Sequence, residues 1–473
     1  MKSDYLEKVR LGENLRLREQ TLLVLRLSIP AILAQISTIV MEYIDASMVG
    51  SLGADASASI GIVSTTTWLI GGVCSAIGIG FTVGIAHRIG AGDDTQARAY
   101  VRTGLLTVVL FAVILMVVSI LIHKRLPVLM GGNEAVVTDA SRYFLVYALT
   151  LPIMQINYTG AGMLECSGNM KLPSIIHVLM CFLDIVFNSL LIYDSKIFVL
   201  SGIRFHGAGI TVRIPGAGLG VTGAALGTMC AQVVGAVCIL LSVLVFSDKL
   251  SIRKKEKGKM TVHQWSSASK ISLPVMLSSL IMGSAYVLST KVVAPLGNVS
   301  ISANSFAITA ESLCYMPGYG VAHAATTLVG QTKGAGNHRM EQRFSYLTTV
   351  VGIGVMTMAA VLLYVFAPQM IAILSPDAAV RELGAKILRI EAFAEPMFGA
   401  SIVVEGIFRG MGKTGISSAL NLASMWFVRL PLSALVVASY GLTGVWYVMC
   451  AELIFRGILF LVALFRVFHS RRF

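Results

Sequence analysis

Long runs of apolar residues dominate the chain, and short polar or glycine-rich segments separate each run from the next. A membrane-spanning α-helix needs about 20 predominantly apolar residues. Twelve runs reach this length, with centres near residues 36, 71, 111, 152, 183, 232, 281, 317, 355, 396, 427 and 454. The pattern therefore predicts an all-α polytopic membrane protein with twelve transmembrane helices.

The first apolar run carries a polar stripe. Four polar residues fall on one narrow face of a helix that turns by about 100° per residue, namely Gln35, Thr38, Glu42 and Asp45. A charged carboxylate at the centre of a helix in lipid costs about 2.5–3.5 kcal/mol. We therefore expect this face to line a cavity that contains protein or water.

The sequence also repeats. Pro30 and Pro274 are 244 residues apart, and so are Gly53 and Gly297. Since each half holds an even number of helices, both halves enter the membrane from the same side, as two pseudo-symmetric six-helix bundles related by an axis along the membrane normal. The predicted division is an interfacial N-terminal segment (1–20), an N-terminal bundle (21–247) with an external insertion (194–219), a cytoplasmic linker (248–265) and a C-terminal bundle (266–473).

The insertion has no counterpart in the second half. Its β-branched residues flank a turn at Gly207 and Gly209, a pattern typical of a short hairpin. An irregular loop is the alternative.

Composition and charge agree with a membrane protein. Hydrophobic residues make up 56% of the chain and charged residues 13%, which excludes an ordinary soluble domain. The net charge of +13 is concentrated on one side, most densely in Lys249–Lys259, as the positive-inside rule describes. We therefore predict cytoplasmic termini and a multi-pass protein of the plasma (inner) membrane, and no nucleic-acid partner.

Enzyme motifs do not fit the chain. Gly412-Lys413-Thr414 ends like a phosphate-binding loop, but the glycine required five residues earlier is Ile407, and no strand precedes it. Paired metal-ligand spacings and nucleophile arrangements do not occur either. The sequence predicts no catalytic residue, no metal and no cofactor.

Further polar residues occur at membrane depth. Arg429 is too deep to remain unpaired, and a nearby glutamate is its natural partner. The candidates are Glu311 and the pair Glu391 and Glu395, which we place on one face of helix ten. Either these acids pair structurally with Arg429, or they form a second substrate-binding patch. In the first half, Asn157 faces the cavity or bonds a neighbouring helix.

The chain resembles the multidrug and toxic compound extrusion (MATE) transporters over nearly its whole length. The matching segments are IPAILAQ and YIDASMVGSLGADA in helix one, GVTGAALGT opening helix six, TTLVGQTKGAG after helix eight and FRGMGKT after helix ten. The resemblance implies two bundles around a central V-shaped cavity that alternates between inward-open and outward-open states. It also implies export of drugs, often organic cations, against an H⁺ or Na⁺ gradient.

The resemblance further implies a role for Asp45, which falls on the family's helix-one aspartate, the usual coupling residue. In helix five the family often reads Asn-x-x-x-Asp, whereas this chain reads Asp184-Ile-Val-Phe-Asn188. Because residues four apart share a helix face, a carboxylate and an amide are still available together.

These residues suggest a coupling mechanism. Glu42, Asp45 and Asp184 can together hold one proton, and a cationic drug would compete for the same negative site. Pro30 removes a backbone donor and is a candidate hinge in helix one. The coupling ion is expected to be H⁺, with Na⁺ as the second choice, and the exporter is expected to be a monomer that takes cationic or amphipathic small molecules.

Two other functions compete with export. A lipid-linked oligosaccharide flippase can share the double-bundle plan, but it needs several cations for a pyrophosphate headgroup, and acids outnumber cations in these helices. A non-transporting receptor or scaffold gives no reason to keep acids in both halves.

Overall fold

The computed structural model describes residues 5–11, 13–132, 134–205, 208–252, 258–375 and 377–469. The helices are α1 (Tyr5–Arg10), α2 (Leu17–Gly50), α3 (Ala54–Gly90), α4 (Asp94–Ile122), α5 (Leu126–Leu129), α6 (Glu134–Cys166), α7 (Lys171–Ile192), α8 (Gly220–Leu241), α9 (Val262–Val293), α10 (Asn298–Gly334), α11 (His338–Leu374), α12 (Ala378–Glu391), α13 (Glu395–Gly410), α14 (Thr414–Ser424) and α15 (Leu430–His469). Single π-helical turns extend α8 (Ser242–Phe246) and join α14 to α15 (Met425–Arg429). The described part of the chain is thus helical apart from one hairpin.

Eight helical segments in the described part of the chain are long and apolar enough to cross a membrane. The last of them, Thr414–His469, is two spans, because Gly441 breaks the helix with a φ of 59°. The other three predicted spans are α6, α10 and the interrupted pair α12–α13, whose sequences are more polar. The all-α polytopic fold with twelve transmembrane spans is confirmed.

The sequence repeat extends to the backbone conformation. Gly92 and Gly336, 244 residues apart, both have a positive φ, at 74° and 70°. The residue after each glycine caps the next helix: the side chain of Asp93 accepts from the amide of Gln96, and that of Asn337 accepts from Met340. The two halves therefore use the same turn and cap to leave α3 and α10.

Polar contacts between the halves lie near the ends of α3 and α10. His87 Nε2 is 2.7 Å from the carbonyl oxygen of Gly410, and Gln331 Nε2 donates to the carbonyl of Cys166 at 2.7 Å. These bonds are equivalent under the repeat, since His87 corresponds to Gln331 and Cys166 to Gly410. A third cross-link joins Glu165, which stands where the second half has Arg409, to His323 at 2.6 Å. We call this region, which also includes α1, the closed end.

Close packing at the closed end depends on glycine. A Cβ at Gly90 would lie 2.1 Å from the carbonyl oxygen of Gln331, and one at Gly334 would lie 2.0 Å from that of His87. Both distances are impossible for a real side chain without movement of the backbone. The two helices can therefore meet here only because glycine occupies both positions.

The N-terminal segment differs from the prediction. We expected it to lie on the membrane surface, but Leu6 and Val9 of α1 are buried in a core shared with α2 and α10. Arg10 donates from Nη2 to the carbonyl of Ser167 in the first half and from Nε to Oε1 of Gln331 in the second. The apolar residues of α1 thus pack against protein.

Two other predicted segments are described only in part. The insertion forms strands β1 (Asp194–Phe205) and β2 (Ala208–Ala217), which pair antiparallel from Asp194 opposite Ala217 to Phe205 opposite Ala208. The predicted turn residue Gly207 lies outside the described residues. Part of the predicted linker, 253–257, lies outside them as well.

Candidate functional site

A bridged pair of carboxylates forms the centre of the site. Asn188 Nδ2 donates to Asp45 Oδ1 at 2.7 Å and to Asp184 Oδ2 at 3.0 Å, so that one amide joins the two acids. Thr228 Oγ1 contacts the other oxygen of Asp45 at 3.5 Å. Asp184 and Asn188 are fully buried, whereas Asp45 is partly exposed. The structure thus brings together the residues that the sequence placed on α2 and α7, and α8 adds a third side.

This arrangement can hold one positive charge. Two carboxylates in a low-dielectric surrounding repel each other when both are ionised. A single proton between them, or one bound cation, removes that repulsion. Oxygen atoms of carboxylate, amide and hydroxyl groups also suit a small hard cation. Within the described ranges, no group of three or more His, Cys, Asp or Glu side chains is placed to hold a metal ion.

Glycines of α8 allow the helices to approach this closely. A Cβ at Gly227 would lie 2.0 Å from Oδ1 of Asn188, and one at Gly223 would lie 2.4 Å from the carbonyl oxygen of Leu191. Because a side chain at Gly227 would occupy the space of the Asn188 amide, this glycine keeps the bridge in place.

Gly227→Ala is therefore expected to displace the Asn188 amide and to lower transport activity by about tenfold or more, since overpacking of this kind costs about 1–3 kcal/mol. Gly354→Ala is the matched control, because a Cβ at Gly354 meets nothing within 4 Å. Transport by purified protein in liposomes and the melting temperature should be measured for both variants. Equal activity in the two variants would contradict the role assigned to Gly227.

Sequence reasoning missed Thr228 and Gly227. Both lie at the end of the segment GVTGAALGT, which the sequence analysis used only as a family feature. The second threonine of the segment, Thr228, lies about two helical turns inside the membrane run, and that polar residue was the available signal. The glycine gave none, because glycine is frequent throughout the chain.

The remaining first-half candidates lie around this centre. Glu42, one turn before Asp45, is exposed, and Gln35 is half-buried. Asn157 is buried, and its Nδ2 donates to Oε1 of Gln232 on α8 at 2.6 Å. Asn157 therefore lies in a helix–helix contact, the second of the two alternatives stated above. α2 stays helical through Pro30, and the hinge there remains a prediction.

In the second half, the ion-pair partner of Arg429 differs from the prediction. Arg429 Nη1 forms an ion pair with Oε2 of Glu452 at 4.0 Å, and the predicted acids Glu311 and Glu391 lie within electrostatic range. Glu452 also accepts two hydrogen bonds from Arg456, both at 2.8 Å, and one from the hydroxyl of Ser424. Two arginines thus share one buried glutamate.

The three predicted acids form a separate buried cluster. Glu311, Glu391 and Glu395 are at most 6% exposed, and the carboxylate of Glu391 lacks a hydrogen-bond partner within the described ranges. Glu391 lies within electrostatic range of the other two. A turn at 392–394 divides the helix-ten span into α12 and α13 between Glu391 and Glu395.

A double six-helix plan with buried carboxylates in each half defines a polytopic membrane transporter. The sequence model of the MatE family matches residues 30–190 and 274–435, which together are more than half of the chain. The chain belongs to the MatE family of transporters, which is not a family of enzymes.

Individual relatives are distant but cover nearly the whole chain. A protein of Thermotoga maritima named probable multidrug resistance protein NorM is 23% identical over 440 residues, which are 92% of this chain and 90% of that protein. A FAD transporter of Shewanella oneidensis is 22% identical over 412 residues, 87% of each chain. The crystal structure of a MATE protein in complex with MaL6 superposes with a TM-score of 0.86 at 20% identity, covering 98% of this chain and 99% of that one.

Proposed function

We propose that the protein is a secondary active exporter of cationic or amphipathic small molecules, including drugs, and that it exchanges them for H⁺ by alternating access. The name of the Thermotoga relative supports the drug substrates. The FAD transporter among the relatives shows that family membership alone does not decide the substrate.

One observation carries the proposal: a single amide bridges Asp45 and Asp184 at 2.7 and 3.0 Å. The pair holds either a proton or the positive charge of a substrate, and a site that cannot hold both couples their movements. Glu42 lies one helical turn from the pair on the exposed side of α2, where an entering cation would meet it first.

The closed end supports alternating access. In this proposal it faces the cytoplasm, because the basic linker after α8 and both chain termini leave from the same end. Opening toward the cytoplasm would break the two repeat-related bonds of His87 and Gln331 and the bridge that Arg10 makes between the halves. The protein works as a monomer in the inner membrane, since each chain contains both halves.

Arg10→Ala is expected to weaken the closed end. Hydrogen bonds of a charged group contribute about 1.5–3 kcal/mol, so the open population should rise by about tenfold or more. The readout is the rate at which a membrane-permeant maleimide labels Cys166, which is 4% exposed and lies beside the contact with Gln331. Glu7→Gln is the control, because Glu7 is an exposed residue of the same helix. A labelling rate that is unchanged in Arg10→Ala would contradict a latch role for α1.

The flippase alternative gains no support from the second half. A pyrophosphate headgroup needs cations that are available in the cavity, but Arg429 and Arg456 are both engaged with Glu452. The buried groups near them are the acids of the Glu311 cluster.

Transport in liposomes tests the proposal. Purified protein is reconstituted, ethidium is followed by fluorescence, and a pH gradient and a sodium gradient are imposed separately. The proposal predicts transport with the pH gradient alone. Transport driven only by sodium would overturn the choice of ion, and no transport of ethidium or of a panel of other organic cations would overturn cation export.

A further inference from the structure

A basic groove lies between α11 and α12, far from the carboxylate pair. It has a volume of about 700 Å³ and is lined by Pro368, Gln369, Ala372, Arg381, Glu382, Ala385, Lys386 and Arg389. Its three cations are exposed and follow one face of α12 over about 12 Å. Glu382 is the one acid among the described lining residues, which therefore carry a net charge of about +2. We call this the α11–α12 groove.

Arg389 is held in place by a proline of the neighbouring helix. Pro368 has no N–H, so the carbonyl of Tyr364 lacks its usual helical partner. Arg389 Nε donates to that carbonyl at 3.4 Å, and the guanidinium lies 5.6 Å from the centre of the Tyr364 ring. Its two Nη groups have no hydrogen-bond partner among the described residues and remain available for a ligand.

The surface beside the groove is apolar and exposed. Val361 and Val365 on α11 are 58% and 54% exposed, and Phe393, just beyond α12, is 69% exposed. In a membrane protein such side chains face lipid tails. Cations that border lipid are costly unless an anion meets them, and the phosphate of a phospholipid headgroup is the anion present at that boundary.

The groove is particular to the second half. Arg389 and Arg381 correspond under the repeat to Leu145 and Val137 of the first half, and Tyr364 corresponds to Ile120. The shared six-helix plan therefore does not require basic residues here.

We propose that the α11–α12 groove binds the headgroup of an anionic phospholipid. Arg389 contacts the phosphate with its Nη groups, Lys386 and Arg381 add charge toward the membrane surface, and the acyl chains lie along Val361 and Val365. The site is independent of the transport proposal, because lipid binding is measured without any gradient or drug.

Native mass spectrometry of the full-length protein tests the site, with phosphatidylglycerol and phosphatidylcholine of identical acyl chains. Wild type should bind phosphatidylglycerol more tightly. Each basic residue near an anionic headgroup contributes about 1 kcal/mol, so R389Q and K386Q should each weaken binding about fivefold, and R381Q/K386Q/R389Q roughly a hundredfold. K386Q removes a charge without freeing the Tyr364 carbonyl, so it separates lost binding from local misfolding.

The matched control is K124Q/R125Q, which removes two exposed cations at the same end of the first half. Unchanged lipid binding in this control supports the α11–α12 groove as the binding site, and an equal loss of binding in the control would overturn the proposal. Equal affinity of wild type for the two lipids would also overturn the proposal. Glycerol 3-phosphate should bind far more weakly than the lipid; equal binding would show that the groove takes free phosphate instead.

Discussion

Asp45→Asn is expected to abolish proton-driven transport, lowering the initial rate in liposomes by at least about tenfold. Asparagine has nearly the same shape, and its side-chain oxygen can still accept from Asn188 at the position of Oδ1. It cannot be ionised, so the pair loses the ability to exchange a proton for a cationic substrate. The variant should therefore fold and reach the membrane, and its melting temperature should stay close to that of wild type.

Two further variants separate charge from packing. Asp184→Asn removes the second carboxylate that Asn188 bridges and should reduce coupling as well. Thr228→Val removes the 3.5 Å contact to Asp45 and the bond to the Ala224 carbonyl, keeps both carboxylates and should have a smaller effect. Proton-driven transport at the wild-type rate in Asp45→Asn would remove Asp45 from the mechanism and direct attention to the acids of the second half.

Glu452→Gln is expected to cause the largest loss of stability. Glu452 is 1% exposed and is the shared acceptor of Arg456, Arg429 and Ser424. Its neutralisation removes the carboxylate that forms the ion pairs with both buried guanidinium groups, and breaking a buried ion pair from one side costs about 3–5 kcal/mol. The free energy of unfolding in mixed micelles, measured by titration with a denaturing detergent, checks this value.

A double-variant cycle separates the interaction energy of Glu452 and Arg456 from the contributions of their other neighbours. Arg456→Met removes the closest partner of Glu452, and the double variant Glu452→Gln/Arg456→Met should recover part of the loss, because only Arg429 then lacks its partner. Glu134→Gln, an exposed residue at the start of α6, should change the free energy by less than about 0.5 kcal/mol. A loss in Glu452→Gln as small as in Glu134→Gln would contradict the structural role of the shared acid.

Periodicity predicted the parts of the fold that lipid dictates. The twelve spans follow from the length of the apolar runs, and the duplication follows from the constant spacing of Pro30, Gly53 and their partners. Asp45 was singled out because a carboxylate in an apolar helix is costly wherever it occurs. Asp184 was singled out through the resemblance to the family's helix-five pattern, so the local pattern alone was not sufficient there.

The sequence could not predict how the helices are rotated and broken. Arg429 had three acids as candidates, and its actual ion-pair partner, Glu452, was not among them. The turn at 392–394, which divides the helix-ten span between Glu391 and Glu395, was not predicted. The docking of α1 was missed for a related reason, since an apolar stripe that fits lipid also fits the junction between two bundles.

The most direct test of the central claim is a proton count during substrate binding. The protein is purified in detergent and kept near neutral pH in a weakly buffered solution that contains a pH indicator. It is then titrated with a salt of an organic cation such as tetraphenylphosphonium. The account predicts that wild type releases about one proton per bound cation and that Asp45→Asn releases none. Cation binding by wild type without proton release, or equal release by Asp45→Asn, would contradict competition at the bridged carboxylate pair.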